Sequence, residues 1–167
     1  MDDPDDRGYS RAPELEDLVS LCQALNDEQV RYVLIGGFAV ILHGFVRATK
    51  DIDLLVDASA ENVRRLKRAM ATLPDNAIDL MADDEVERYG VVRVADEIVV
   101  DLMKSACGVS YEDAAAHIDA HTVEGVVIPV ADKLLLIRTK DTVRPSDAMD
   151  VQFLRIRIDE ESKQSRD

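Results

Sequence analysis

The sequence predicts an α/β (α+β) domain: a small mixed β-sheet flanked by helices. Three observations predict it. Short apolar, β-branched runs such as YVLI, DIDLLV, VVRV, IVVDLM and VVIPV read as strands. Between them lie stretches whose apolar residues recur at helical spacing. The two kinds of segment mix without strict βαβ alternation, and no internal repeat or low-complexity linker divides them. At 167 residues the chain is long enough for one compact core and short for two. The expected layout is a loose acidic segment over residues 1–12, a single domain over 13–158 and a frayed polar tail over 159–167.

Taken in order, Leu15, Leu18, Val19, Leu21, Cys22 and Leu25 form the apolar stripe of a first helix. RYVLIG is a strand ending in Gly36-Gly37, and FAVILHG is a short helix stopped by Gly44. KDIDLLVD is a second strand with its carboxylates at the start. SAENVRRLKRAMATL is a helix capped by Ser59, with Glu61 and Asn62 in its first turn. AIDLM is expected as a short strand, and ERYGVVRVADEIVVDLM as a hairpin turning near Ala95-Asp96-Glu97. YEDAAAHI is a short helix and HTVEGVVIPV a strand pair about Gly125. DKLLLIRTK and DAMDVQFLRIR are helices split by the DTVRPS turn.

Composition narrows the function. Aromatics make up 4% and Trp is absent, so the core must be aliphatic. The formal net charge of −14 disfavours a non-specific nucleic-acid coat and leaves room only for a local basic patch. The one dense patch, Arg64-Arg65-Leu66-Lys67-Arg68, reads as a solvated helix face, or as the best place for an RNA contact. Cys22 and Cys107 have no metal-ligand spacing and read as buried thiols. No run approaches the ~20 apolar residues of a membrane span, and the acidic N-terminus is no signal peptide. A cytoplasmic, reducing location and no membrane partner are expected.

The chemistry lies in GGFAVILHGFVRATKDIDLLVD. Gly36 and Gly37 let the backbone approach a phosphate closely, ahead of a helix whose free N–H groups favour anions. Asp51 and Asp53, two apart on a strand, point to one face and suit a divalent ion as oxygen ligands. Asp101, isolated in the apolar run IVVDLM, is costly there unless paired or metal-bound. Its rival is Asp79 in AIDLM, and its alternative role is a buried acid paired to an arginine. Three carboxylates converging on metal ions suit phosphoryl or nucleotidyl transfer.

These residues resemble the signature of the DNA polymerase β-type nucleotidyltransferase superfamily: a Gly-Gly turn, a spacer of thirteen residues (38–50), Asp-x-Asp and a later Asp on an apolar strand. The His43-Gly44, Arg47 and Thr49 context, and the C-terminal KLLLIRTKDTVRPSDAMDVQFL, are similar to the abortive-infection (type IV) toxin nucleotidyltransferases; the former also resembles the lincosamide-type antibiotic enzymes. The resemblance runs from about Tyr32 to Leu154 and implies a nucleotidyltransferase fold. It also implies a Mg2+ (or Mn2+) cofactor held by Asp51, Asp53 and Asp101, and an NTP substrate. The nucleotide set it implies is Gly36, Gly37, Arg47, Thr49, Lys133, Lys140 and Arg144. Arg47 reads equally as a phosphate clamp or a surface cation; Lys133, Lys140 and Arg144 read as triphosphate contacts or solvated helix faces, Lys140 being the best of them. Asp147 and Asp150 would hold those cations, and His43 would pack at a helix end. The implied acceptor is a tRNA end or a protein hydroxyl, with an antitoxin as partner. The alternatives are antibiotic adenylylation and a non-catalytic nucleotide-binding module.

Overall fold

The computed structural model describes residues 10–165. Helix α1 (Leu15–Asp27) buries Leu18, Val19, Leu21, Cys22 and Leu25, the predicted stripe, and opens with a capping box between Glu14 and Asp17. Strand β1 (Tyr32–Ile35) is buried along its whole length and runs directly into α2 (Gly36–Leu42). The two glycines are thus the first residues of the helix rather than a loop before it. Strand β2 (Asp51–Val56) follows, then α3 (Ala60–Met70), capped by Ser59 Oγ accepting from the Asn62 amide. Next come α4 (Glu85–Tyr89), the hairpin β3 (Val91–Ala95) and β4 (Val99–Met103), the two-residue strands β5 (Ser105–Ala106) and β6 (Val109–Ser110), and α5 (Tyr111–Ala115). A second hairpin, β7 (Ile118–Val123) and β8 (Val126–Ala131), precedes α6 (Lys133–Thr139) and α7 (Pro145–Gln164).

Six strands form one mixed sheet in the order β3-β4-β2-β1-β8-β7. The β2/β4 and β1/β8 pairs are parallel, and the other three are antiparallel. β5 and β6 pair only with each other. Helix α2 packs on β1, β2 and α6, while α1 packs on α3 and β8. The core is aliphatic as expected: Ile52, Leu54, Leu55, Leu102 and Ile128 are fully buried. Each such side chain contributes about 1.5–3 kcal/mol of transfer free energy.

Four expectations are corrected. AIDLM is a 3-10 turn over Ala77–Leu80, not a strand. The cause is Asp96, 1% exposed, whose carboxylate accepts from the amides of Asp75, Ala77 and Glu97 and curls the preceding chain around itself. The first residues of the ERYGVV segment belong to α4, which Gly90 ends at φ +78°. Cys107 is exposed, its Sγ 3.6 Å from the Asp141 carbonyl oxygen, whereas Cys22 is buried and its thiol is pushed up to about 11 by that burial. Helix α7 continues past Asp159 to Gln164. Of the segment expected to be loose, residues 1–9 lie outside the described residues. Ser10 donates to the Asp96 carbonyl at 2.7 Å, and the Arg11 guanidinium clasps Asp17 and Glu97.

Candidate active site

The register of the sheet builds the site. Ile35, Asp53, Asp101 and Arg93 are successive partners across β1, β2, β4 and β3. Register partners present their side chains on one face of a sheet, and Asp51, two residues before Asp53, joins that face. The intervening Ile52 points the other way and is fully buried. One carboxylate oxygen from each of Asp51, Asp53 and Asp101 lies within 4.8 Å of the others.

The glycines shape the floor. Gly36 has φ +74°, and a Cβ there would stand 2.0 Å from Asp53 Oδ2. A Cβ on Gly37 would stand 2.6 Å from Thr49 Oγ1. Both positions therefore require glycine for close packing against the acid-bearing strand and its approach. The resulting cleft has a volume of about 440 Å3, and Gly36, Gly37, Arg47 and Thr49 line it together with the three acids. From the C-terminal half come Lys140, Thr142 and Arg144.

Two buried carboxylates on α7 hold those cations in place. Asp150, 1% exposed, pairs with both Arg47 and Lys140, the latter at 2.9 Å. Asp147 pairs with Arg144 at 2.9 Å and with Lys140 at 3.5 Å. Burial works against ionisation of Asp147, but the Thr142 hydroxyl and the Lys140 and Arg144 charges outweigh it and keep its carboxyl below the usual range. Asp147 and Asp150 between them hold three cations, Arg47, Lys140 and Arg144, which leaves one surplus positive charge on this side of the cleft.

The triad is short of positive charge. Burial, with Asp51 and Asp101 beside it, pushes the Asp53 carboxyl up to about 8. Burial and Asp101 also raise Asp51, with Arg93 pulling partly the other way. Arg93 escaped the sequence reading. Its Nε donates to Asp101 Oδ1 at 2.9 Å, and its Nη2 donates to Asp101 Oδ2 at 3.0 Å and Asp51 Oδ2 at 3.3 Å. The expected turn at Ala95-Asp96-Glu97 would set Arg93 opposite Val99; the observed hairpin pairs Ala95 with Val99 and sets Arg93 opposite Asp101.

Not every predicted residue reaches the cleft. Lys133 does not line the cleft: it lies at the far end of α6, and its Nζ meets Glu161 Oε1 at 2.8 Å. Asp79, the rival third acid, is exposed on the 3-10 turn and does not line the cleft. His43 caps α2, where its Nε2 lies 3.0 Å from the Ala131 carbonyl oxygen, a packing role. The basic run on α3 is largely neutralised, with Arg65 on Glu61, Lys67 on Asp83 and Arg68 on Glu28.

A mixed sheet whose adjacent strands aim three carboxylates into a glycine-floored cleft defines a protein of the nucleotidyltransferase class. The chain belongs to the family described as "Nucleotidyltransferase of unknown function (DUF6036)", which matches residues 14–157. No curated protein matches the chain. Among solved structures it is similar to a candidate nucleotidyltransferase (TM1012) from Thermotoga maritima, at 16% identity over 96% of each chain with a TM-score of 0.47. The family assignment rests on the match to residues 14–157. Among the described residues no helix is long and apolar enough to cross a membrane.

Proposed function

We propose that this protein transfers a nucleoside monophosphate from an NTP to a hydroxyl acceptor, releasing pyrophosphate, with Mg2+ or Mn2+ held by Asp51, Asp53 and Asp101. The observation that carries the reading is the convergence of these three carboxylates within 4.8 Å on one face of the sheet. The donor set fits a hard divalent ion, being all oxygen. When bound, such an ion supplies charge neutralisation at the reacting phosphate and activation of the attacking oxygen.

The chain's own residues supply binding and orientation. Gly36 and Gly37 let the start of α2 pack directly against Asp53 and Thr49, so the triphosphate would meet the backbone of the turn and the acids together. Arg47 and Lys140, locked by Asp150, are fixed cations for its β and γ phosphates, and Arg144 adds a third charge at the rim. Thr49 lines the same approach. Because Asp150 and Asp147 set the cations beforehand, little ordering remains when nucleotide binds.

For the acceptor we propose a hydroxyl of a tRNA end or of a protein side chain, with a cognate antitoxin as partner, as the resemblance to the toxin-type enzymes implies. The test is incubation with each labelled NTP, Mg2+ or Mn2+, and either total tRNA, cell protein or an aminoglycoside and lincosamide panel. Label in tRNA or protein supports the reading. Label in a drug moves the function to antibiotic modification, and bound NTP without transfer leaves a regulatory module.

A further inference from the structure

We propose that Arg93 is a built-in counter-cation that a divalent ion must displace from Asp101, so that this arginine sets the metal affinity of the site; the inference rests on the triad being a metal site. Arg93 engages both oxygens of Asp101, at 2.9 and 3.0 Å, and reaches Asp51 at 3.3 Å. This fork arrangement occupies one lone pair on each Asp101 oxygen and sets a full positive charge against the carboxylate an ion would use. A guanidinium does not give up its charge in a protein, so it cannot make way by losing a proton. It can only move.

The surroundings permit that movement. The Arg93 side chain is 61% exposed while that of Asp101 is 12% exposed, so one end of the pair is anchored and the other is free. Arg93 sits on β3, the edge strand of the sheet among the described residues. Arg47 and Lys140 make the contrast: both are tied to Asp150, which is 1% exposed, so the departure of either takes a partner from a buried anion. Of the cations lining the cleft, Arg93 alone lies on the triad and is also free to swing into water. Once displaced it remains at the cleft edge, where its planar fork suits a phosphate.

The experiment uses the full chain and Mn2+ alone, with free ion counted by electron paramagnetic resonance, and melting measured with and without the ion. Arg93→Gln is expected to bind Mn2+ on the order of tenfold more tightly than wild type, since a charge-assisted pair no longer competes. In chelator it should melt lower than wild type, and saturating Mn2+ should close the gap. Arg93→Lys, which cannot engage both oxygens as a fork, is expected in between and covers the case in which the glutamine variant folds poorly. An arginine with only a structural role would lower the melting temperature equally with and without metal and leave the affinity unchanged. Equal or weaker binding by both variants, with binding still lost in Asp51→Asn, Asp53→Asn, would overturn the proposal and leave the metal site standing. No Mn2+ binding by any form would overturn the metal site itself, and this inference with it.

Discussion

Gly36 lies so close beneath Asp53 that a Cβ on the glycine would stand 2.0 Å from the carboxylate Oδ2. No rotation of a methyl group relieves such a contact, so the strand-to-helix turn and the acid are built as one unit.

The first prediction separates that contact from ordinary backbone strain. Gly90 has φ +78°, close to the +74° of Gly36, but a Cβ there meets nothing within 4 Å. Gly90→Ala should therefore pay only for the left-handed conformation, about 1–2 kcal/mol. That lowers the melting temperature by roughly 2–4 °C per kcal/mol. Gly36→Ala should melt lower still and lose the stabilisation by Mn2+, because Asp53 must turn away. Thermal melts of both variants decide it, and equal losses would show that the close approach is relaxed in solution.

The second prediction concerns pH. The Asp53 carboxyl is raised to about 8 in the folded protein, chiefly by burial and then by Asp51 and Asp101. The folded state thus holds a proton that the unfolded chain releases near pH 3.9. Stability from this group is fully present below that value and is lost as pH rises through about 8. Asp53→Asn cannot lose it. Melted in chelator, the variant should match wild type below about pH 4, pull ahead of it as pH rises, and exceed it by several degrees at pH 9. A difference that does not change with pH would mean that Asp53 is not held protonated.

The third prediction tests the α7 anchor. Asp150→Ala takes the sole acidic partner of Arg47 among the described residues and the nearer of the two acids that hold the Lys140 ammonium, which is 6% exposed. The cost should be about 3–5 kcal/mol, as for other buried pairs losing one partner. Arg144→Gln removes a side chain that is 72% exposed, and should cost less than about 1 kcal/mol. Urea unfolding of the two variants makes the comparison; similar costs would remove Asp150 from its central place.

The fourth prediction distinguishes two lysines at opposite ends of α6. Lys140→Gln should weaken NTP binding about tenfold or more, as expected for loss of a charge-assisted phosphate contact. Lys133→Gln should leave it unchanged, since Lys133 pairs with Glu161 away from the cleft. Nucleotide titration by calorimetry reads both, and a matching loss in Lys133→Gln would return that residue to the site.

What was legible in the sequence was the part governed by local periodicity. Strand alternation alone puts Asp51 and Asp53 on one face and Ile52 in the core, and an acid inside IVVDLM had to have a partner. What was not legible depends on contacts between distant residues. The AIDLM segment has strand composition, but the buried Asp96 captures its preceding amides from about twenty positions away. Arg93 looks like any exposed residue of an edge strand until the hairpin register sets it against Asp101. Lys133 and Lys140 lie seven apart, hence roughly on one helical face, but about 10 Å apart along the axis. Only the C-terminal end of α6 meets the cleft.

The central claim is that Asp51, Asp53 and Asp101 hold a divalent ion and, through it, a nucleotide triphosphate. The most direct measurement is the melting temperature of wild type and of Asp51→Asn, Asp53→Asn in chelator, in Mn2+, and in Mn2+ with a non-hydrolysable NTP. In wild type each addition should raise it, by about 2.7 kcal/mol of stabilisation when a ligand is at a hundred times its dissociation constant. In the double variant both increments should vanish. A variant that keeps the full response to Mn2+ and nucleotide would contradict the account, because the ions would then be bound elsewhere.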